Sequence, residues 1–188
     1  MKTNFYWIVS FLIFYGSCTS SKPIEIDSER LLRNIQIISS DSLEGRAFST
    51  LGNNKAQKII IANFTQIGLQ TVSNQKYLQE FSYTFKGIKR QEVFPIKKPK
   101  SNFSNVLDTT VIGGNIIGML KGEINKSIVI TAHFDHLGIK DGKIFNGADD
   151  NASGVAALFE IAEYFKKNPC KHHLILAALD AKEIGSLG

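Results

Sequence analysis

Three short segments hold the side chains whose types and spacing could do chemistry. The first is Thr131-Ala132-His133-Phe134-Asp135-His136-Leu137-Gly138. The second is Asn146-Gly147-Ala148-Asp149-Asp150-Asn151-Ala152-Ser153-Gly154, and the third is Asp180-Ala181-Lys182-Glu183-Ile184-Gly185. An imidazole and several carboxylates brought to one place make a hard-to-borderline cation site, with zinc as its natural occupant. Each segment alone has a plainer explanation. A lone histidine is more often a surface or hydrogen-bonded residue than a ligand. An Asp-Asp pair before a helix is more often a cap stabilised by the helix dipole, and a carboxylate after a strand can be one too. The weight lies in the three together, in this order, provided the chain brings them to one rim.

The elements needed for that are visible as hydrophobic patterns. Residues 128–132 are strand-like, residues 174–179 are a fully apolar run of strand length, and a helix fits between them from about Ser153 to Lys166. That helix buries Val155, Leu158, Phe159, Ala162 and Phe165, and Pro169 closes it. Strand, helix and strand in this order form a βαβ unit, so part of the sheet is expected to be parallel and covered by helices. Ligands of open α/β sheets bind beyond the carboxyl ends of the strands, where all three segments would meet. The continuous run Ile128-Val129-Ile130 predicts a strand buried on both faces. Residues 115–120 form a further strand, separated from it by the turn-rich 121–127. Upstream, Ser28 can cap a helix that faces inward with Leu31, Leu32, Ile35 and Ile38. Residues 39–46 read as a polar loop. A second helix fits from about Asn53, with Ala56, Ile59, Ile60, Phe64 and Ile67 inward and Gly68 as its stop. Residues 77–85 alternate as an edge strand does. No internal repeat or low-complexity tract interrupts this α/β pattern.

The N-terminus carries a different message. Lys2 precedes an apolar run over residues 5–15, broken only by Ser10, and Gly16, Ser17 and Cys18 follow. A charged start, a short apolar stretch and small residues before a cut make an export signal over residues 1–18. The run is well short of the roughly 20 apolar residues that span a bilayer. The polar residues 19–22 speak against a buried N-terminal helix. Gly16-Ser17-Cys18 resembles the lipobox of bacterial lipoproteins, although Tyr15 stands where that pattern usually has leucine. The resemblance implies acylation of Cys18, membrane attachment through it, and a periplasmic, outer-membrane or extracellular location. Cys170 is the one other cysteine, so no disulfide framework is implied. The chain is 43% hydrophobic, which argues against disorder, and its net charge of +5 has a local source. Lys86, Lys89, Arg90, Lys97, Lys98 and Lys100 crowd a stretch containing Pro95 and Pro99, which reads as a solvated loop. Aromatic interleaving and groove motifs are missing, so no nucleic-acid partner is expected.

With these residues in view, the chain resembles metallopeptidase family twenty-eight, the co-catalytic zinc aminopeptidases, whose relatives include glutamate carboxypeptidase and glutaminyl cyclase. The similarity runs from about Leu43-Glu44-Gly45-Arg46 to the C-terminus and is strongest from Asn115 onward. It implies a three-layer helix/sheet/helix zinc-peptidase fold over residues 19–188, with a mixed, partly parallel sheet that is incomplete at its C-terminus. It also implies two zinc ions and a peptide substrate. Within the resemblance, His133 is the first metal ligand, Asp149 the carboxylate bridging both metals, and Glu183 the ligand of the other metal. Asp135 orients the histidine, and Asp150 follows Asp149 across a cis peptide. His136 belongs to a common variant of the first motif without being a usual ligand. His172 and His173 match nothing functional and read as surface residues.

In that family two zincs polarise the substrate carbonyl and acidify a bridging water. A glutamate immediately before the Glu183 position moves the proton. Lys182 stands there in this chain, a cation at neutral pH that has no lone pair to accept with until it loses a proton. Two further family ligands, an aspartate and a histidine, lie beyond the Glu183 position, and this chain ends at Gly188. The expectation is an exported zinc-dependent aminopeptidase segment with weak metal binding and impaired turnover. The alternative is a non-catalytic zinc- or peptide-binding module of the same fold. Residues 82–111 are too few to hold the protease-associated domain that some relatives insert.

Overall fold

The structure, a computed structural model, describes residues 26–72, 75–86 and 108–188. The signal-like residues 1–18, and all of the basic stretch except Lys86, lie outside the described residues. Among the described residues no helix is long and apolar enough to cross a membrane.

Helix α1 spans Ser28–Ile38, and its cap is Asp27 rather than Ser28, with the side chain accepting from the Arg30 N–H. A carboxylate there also favours the positive end of the helix dipole. Ile38 is the buried residue of α1, and Leu32, expected inward, is 58% exposed. The reason is that α1 docks at its C-terminal end and through one ion pair. Arg30 grips Glu160 in two parallel bonds of 2.7 Å, which fixes the helix without a broad apolar stripe. Residues expected as a loop form a 3₁₀ segment, Asp41–Arg46, that buries Leu43, Gly45 and Arg46. Helix α2 spans Leu51–Ile67 and begins earlier than Asn53, because the Thr50 hydroxyl accepts from the Asn53 N–H and caps it. Gly68 stops it as expected. Its φ of 86° lets its N–H reach back to the Phe64 and Thr65 carbonyls.

One mixed sheet carries β1 (Gln70–Thr71), β2 (Leu78–Phe85), β3 (Thr109–Leu120), β4 (Ile124–His133) and β7 (His172–Leu179). β1 and β2 run antiparallel to β3, which in turn runs antiparallel to β7 from Ile116↔Ala178 to Leu120↔Leu174. β4 lies parallel to β7, from Ile128↔Leu174 to His133↔Leu179. Helix α3 (Ser153–Lys167) links these two strands, so the βαβ unit expected from the apolar pattern is present. The sheet is mixed and partly parallel, as the sequence predicts.

The described helices share one core with the sheet. Ile38, Ile60, Phe64, Val155, Leu158 and Phe159 pack with Ile116, Leu174, Leu176 and Ala178. The Phe64 ring meets Tyr77 and Phe159 edge-on, at centroid distances of 6.1 and 6.0 Å. Full burial, as of Phe64 and Phe159, contributes about 1.5–3 kcal/mol per side chain. β4 departs from expectation: Ile128 is 43% and Val129 58% exposed. Among the described residues β4 pairs with β7 alone, so it is an edge of the sheet, and its apolar run does not mark burial on both faces. Between β4 and α3 the chain forms a small hairpin, β5 (Gly138–Lys140) and β6 (Lys143–Phe145). Asp141 and Gly142 turn it with φ of 50° and 74°. That is the left-handed pair an Asp-Gly turn favours.

Candidate metal centre

The parallel register fixes the site. His133 is the last residue of β4 and pairs with Leu179, the last of β7. The turn that follows β7, with Lys182 and Glu183, therefore leaves from the same rim as His133. A third strip, the π-type turn Ala148–Ala152, leads into α3 and delivers Asp150. His133 Nε2 lies 3.0 Å from Asp150 Oδ1. One donor atom from each of His133, Asp150 and Glu183 falls within 4.8 Å of the others. An imidazole nitrogen with two carboxylate oxygens is a donor set that suits zinc, whose bonds to such atoms run about 2.0–2.2 Å. The residues present fit that ion.

Asp149 does not join them. Its backbone carbonyl accepts from the Ser153 hydroxyl at 2.7 Å and the residue is exposed. The backbone leaves helical geometry at Asp150 (φ −112°, ψ 91°) and Asn151 (φ −140°, ψ 42°), which turns the Asp150 carboxylate toward His133. The cis peptide bond joins Asp150 to Asn151, not Asp149 to Asp150. Asn151 then turns back, its Oδ1 accepting from the Gly154 N–H at 3.1 Å. Gly147, with φ 54°, allows the approach to this turn. A Cβ there would lie 2.3 Å from the Asp150 carbonyl oxygen and 2.6 Å from the His136 ring.

Asp135 is fully buried and does more than orient a histidine. Its carboxylate accepts from the Lys182 N–H at 3.1 Å and the Glu183 N–H at 2.9 Å, and lies 3.6 Å from His133 Nδ1. That nitrogen also sits 3.1 Å from the Asp135 backbone oxygen. An Nδ1–H held there leaves Nε2 free for a metal. Burial pushes the Asp135 carboxyl above the usual carboxylate range, opposed by the two amide donors. Asp135 thus ties the end of β4 to the turn after β7.

Two positioning residues carried no role in the sequence reading. Arg46 is fully buried and donates to four carbonyls: Phe134 at 2.8 Å, Ile38 and Asn146 at 2.6 Å, and Gly147 at 3.0 Å. It binds the His133 and Asp150 segments to one another, and burial lowers its pKa to about 10. Its signal was the Leu43-Glu44-Gly45-Arg46 stretch at the edge of the resemblance. Asp180 accepts from Asn53 Nδ2 at 2.8 Å and from the N–H groups of Ala181 and Gly114, at 2.8 and 3.2 Å. Burial raises its pKa to about 6. His136 is buried, with Nδ1 unpartnered among the described residues, and burial lowers its pKa. His172 and His173 lie at the other end of β7. They are half-buried rather than on the surface, and His173 Nδ1 accepts from the Gly122 N–H.

Lys182 turns its side chain into the cluster. Its ammonium lies 2.8 Å from Glu183 Oε1 and 3.9 Å from Asp150 Oδ1. The Glu183 bond raises its pKa above the usual lysine value.

Comparison with known proteins bears on the fold and on the C-terminal segment of the chain. The glutaminyl cyclase of Porphyromonas gingivalis superposes with a TM-score of 0.59 at 20% identity, covering 87% of this chain and 48% of that one. A leucine aminopeptidase precursor of Bacteroides thetaiotaomicron VPI-5482 gives 0.55 at 20% identity, covering 84% and 47%. The alkaline phosphatase isozyme conversion protein of Escherichia coli K12 is 28% identical over 105 residues, 51% of this chain and 29% of that protein. The chain thus spans about half the length of these solved structures and under a third of the curated relative. At such identities the structures establish the fold. Residues 115–188, which hold His133, Asp150 and Glu183, match the model of Peptidase family M28.

Proposed function

We propose that this chain is part of an exported zinc-dependent exopeptidase of the aminopeptidase type, in which His133, Asp150 and Glu183 are metal ligands. The observation that carries this reading is the convergence of those three donors on one rim of the sheet. Zinc held there supplies a Lewis acid for the peptide carbonyl and an acidified water. The chain's own residues do the rest. Asp135 fixes the Nδ1 side of His133 and the backbone that carries Glu183. Arg46 holds the Asp150 loop against β4. Lys182, at the general-base position, holds a proton where the reaction needs an acceptor. Turnover is therefore slow.

The experiment is a chimera joining this chain to the C-terminal half of an aminopeptidase relative, assayed on amino-acid anilides with zinc. General-base assistance contributes about 10²–10⁴-fold, so Lys182→Glu should raise kcat by that order, and Asp150→Ala should abolish activity. Equal rates with Lys182 and Glu would refute the assigned role. A second reading, a zinc- or peptide-binding module without turnover, is favoured by the ammonium seated between Asp150 and Glu183. It predicts that the Lys182→Glu chimera binds a peptide yet stays inactive.

Export and anchoring rest on residues 1–18, with Cys18 the lipidated first mature residue. Labelled palmitate fed to a bacterial host should enter the protein and be absent from a Cys18→Ala variant. Label that persists in that variant excludes the lipoprotein.

A further inference from the structure

We infer that the Lys182 ammonium is a tethered cation seated among the metal-binding donors, one that a zinc ion must displace. The inference rests on the zinc reading of this site and adds a property of Lys182 to it. Two of the three donors are the groups that Lys182 touches: Glu183 Oε1 at 2.8 Å and Asp150 Oδ1 at 3.9 Å. The same Asp150 oxygen lies 3.0 Å from His133 Nε2, so the ammonium and the imidazole share it. A zinc ion bonded to all three donors meets a Glu183 oxygen to which Lys182 already donates and an Asp150 oxygen within ion-pair reach of the same ammonium.

The placement is built into the backbone. The Lys182 N–H is held by the buried Asp135 carboxylate at 3.1 Å, which fixes the root of the side chain beside the site. The positive charge meets the Glu183 and Asp150 carboxylates, while Asp135 holds the backbone beneath it. A lysine tethered in this way is always present at the site, whereas zinc must be recruited from solution. Opposite charges so placed attract, and a divalent ion entering the same space is repelled by the ammonium until the side chain swings out. The side chain is 45% exposed, so it has room to swing. The site thus exchanges one cation for another, and in metal-free protein the ammonium offsets part of the carboxylate charge.

The test removes the charge and keeps the length, with Lys182→Met, and with Lys182→Gln as a second variant. Zinc affinity is read by competition with a chromophoric indicator, and melting temperature is read with and without zinc. Neighbours of metal ligands typically alter affinity on the order of 10–100-fold. Lys182→Met should tighten zinc binding by that factor, and Lys182→Arg, which keeps the charge, should not. The zinc-free Lys182→Met protein should melt below zinc-free wild type, and zinc should raise its melting temperature by more. Adding Asp150→Ala to Lys182→Met should remove the tight binding. Equal affinity of wild type and both uncharged variants would overturn the inference and leave the zinc reading intact, since all would bind. Tight binding that survives Asp150→Ala would place the metal elsewhere and overturn it too. If neither wild type nor the uncharged variants bind zinc, both the inference and the zinc reading fall.

Discussion

Asp180 holds a carboxylate in the interior, one residue past β7, and its energetics follow from that position. Burial raises its pKa from 3.8 to about 6 despite hydrogen bonds from Asn53, Gly114 and Ala181. A carboxyl raised on folding favours the folded state while it is protonated. Its contribution is therefore fully present below the unfolded value and is lost as pH climbs through the folded one. Between pH 4 and 7 wild type should lose about 2–3 kcal/mol of stability relative to Asp180→Asn, as measured by urea unfolding. Parallel profiles for the two proteins would show that Asp180 is not burdened by its burial. The same scale separates what could be read in advance from what could not. His133 closes one strand-like run and Glu183 lies in the short turn after the other, so their place on the rim was legible. Asp149 and Asp150 are adjacent carboxylates before the same helix. Only the departure of the backbone from helical φ and ψ at Asp150 decides which one reaches His133. Residue types carry no signal for that one-residue step.

Between residues and sheet stand the segments that Arg46 joins. It satisfies carbonyls from the end of α1, the residue after β4 and the loop before α3. Arg46→Met leaves the buried Phe134 and Ile38 carbonyls and the part-buried Asn146 and Gly147 carbonyls without this donor, each buried one costing about 1–3 kcal/mol if water does not reach it. The expected loss in urea unfolding is about 3 kcal/mol or more. Arg46→Lys should lose less, because its ammonium still donates to some of these carbonyls. It should not match wild type, since one ammonium cannot span all that a planar guanidinium bridges. A loss under about 1 kcal/mol for Arg46→Met would contradict the account. At this scale the helices and the βαβ unit were visible as periodic apolar patterns. The 3₁₀ segment was not, since its burial depends on a charged residue, Arg46, whose partners are all distant backbone carbonyls. The β5–β6 hairpin did carry a sequence signal, Asp141-Gly142, that a search for long apolar runs passes over.

For the molecule as a whole, the parallel pairing of β4 with β7 is the feature that gathers the site, because it ends both strands at one level. The apolar run in β4 resembled a central strand, and sequence pattern alone cannot tell a covered strand from one at an edge. The central claim is that this rim holds zinc through His133, Asp150 and Glu183. The most direct measurement is anomalous diffraction at the zinc edge from crystals soaked at high zinc concentration. The account predicts a peak within about 2.0–2.2 Å of His133 Nε2, an Asp150 oxygen and a Glu183 oxygen, absent from crystals of Asp150→Ala. A peak ligated by Asp149 with Asp150 turned away, or no peak on this rim, would contradict it.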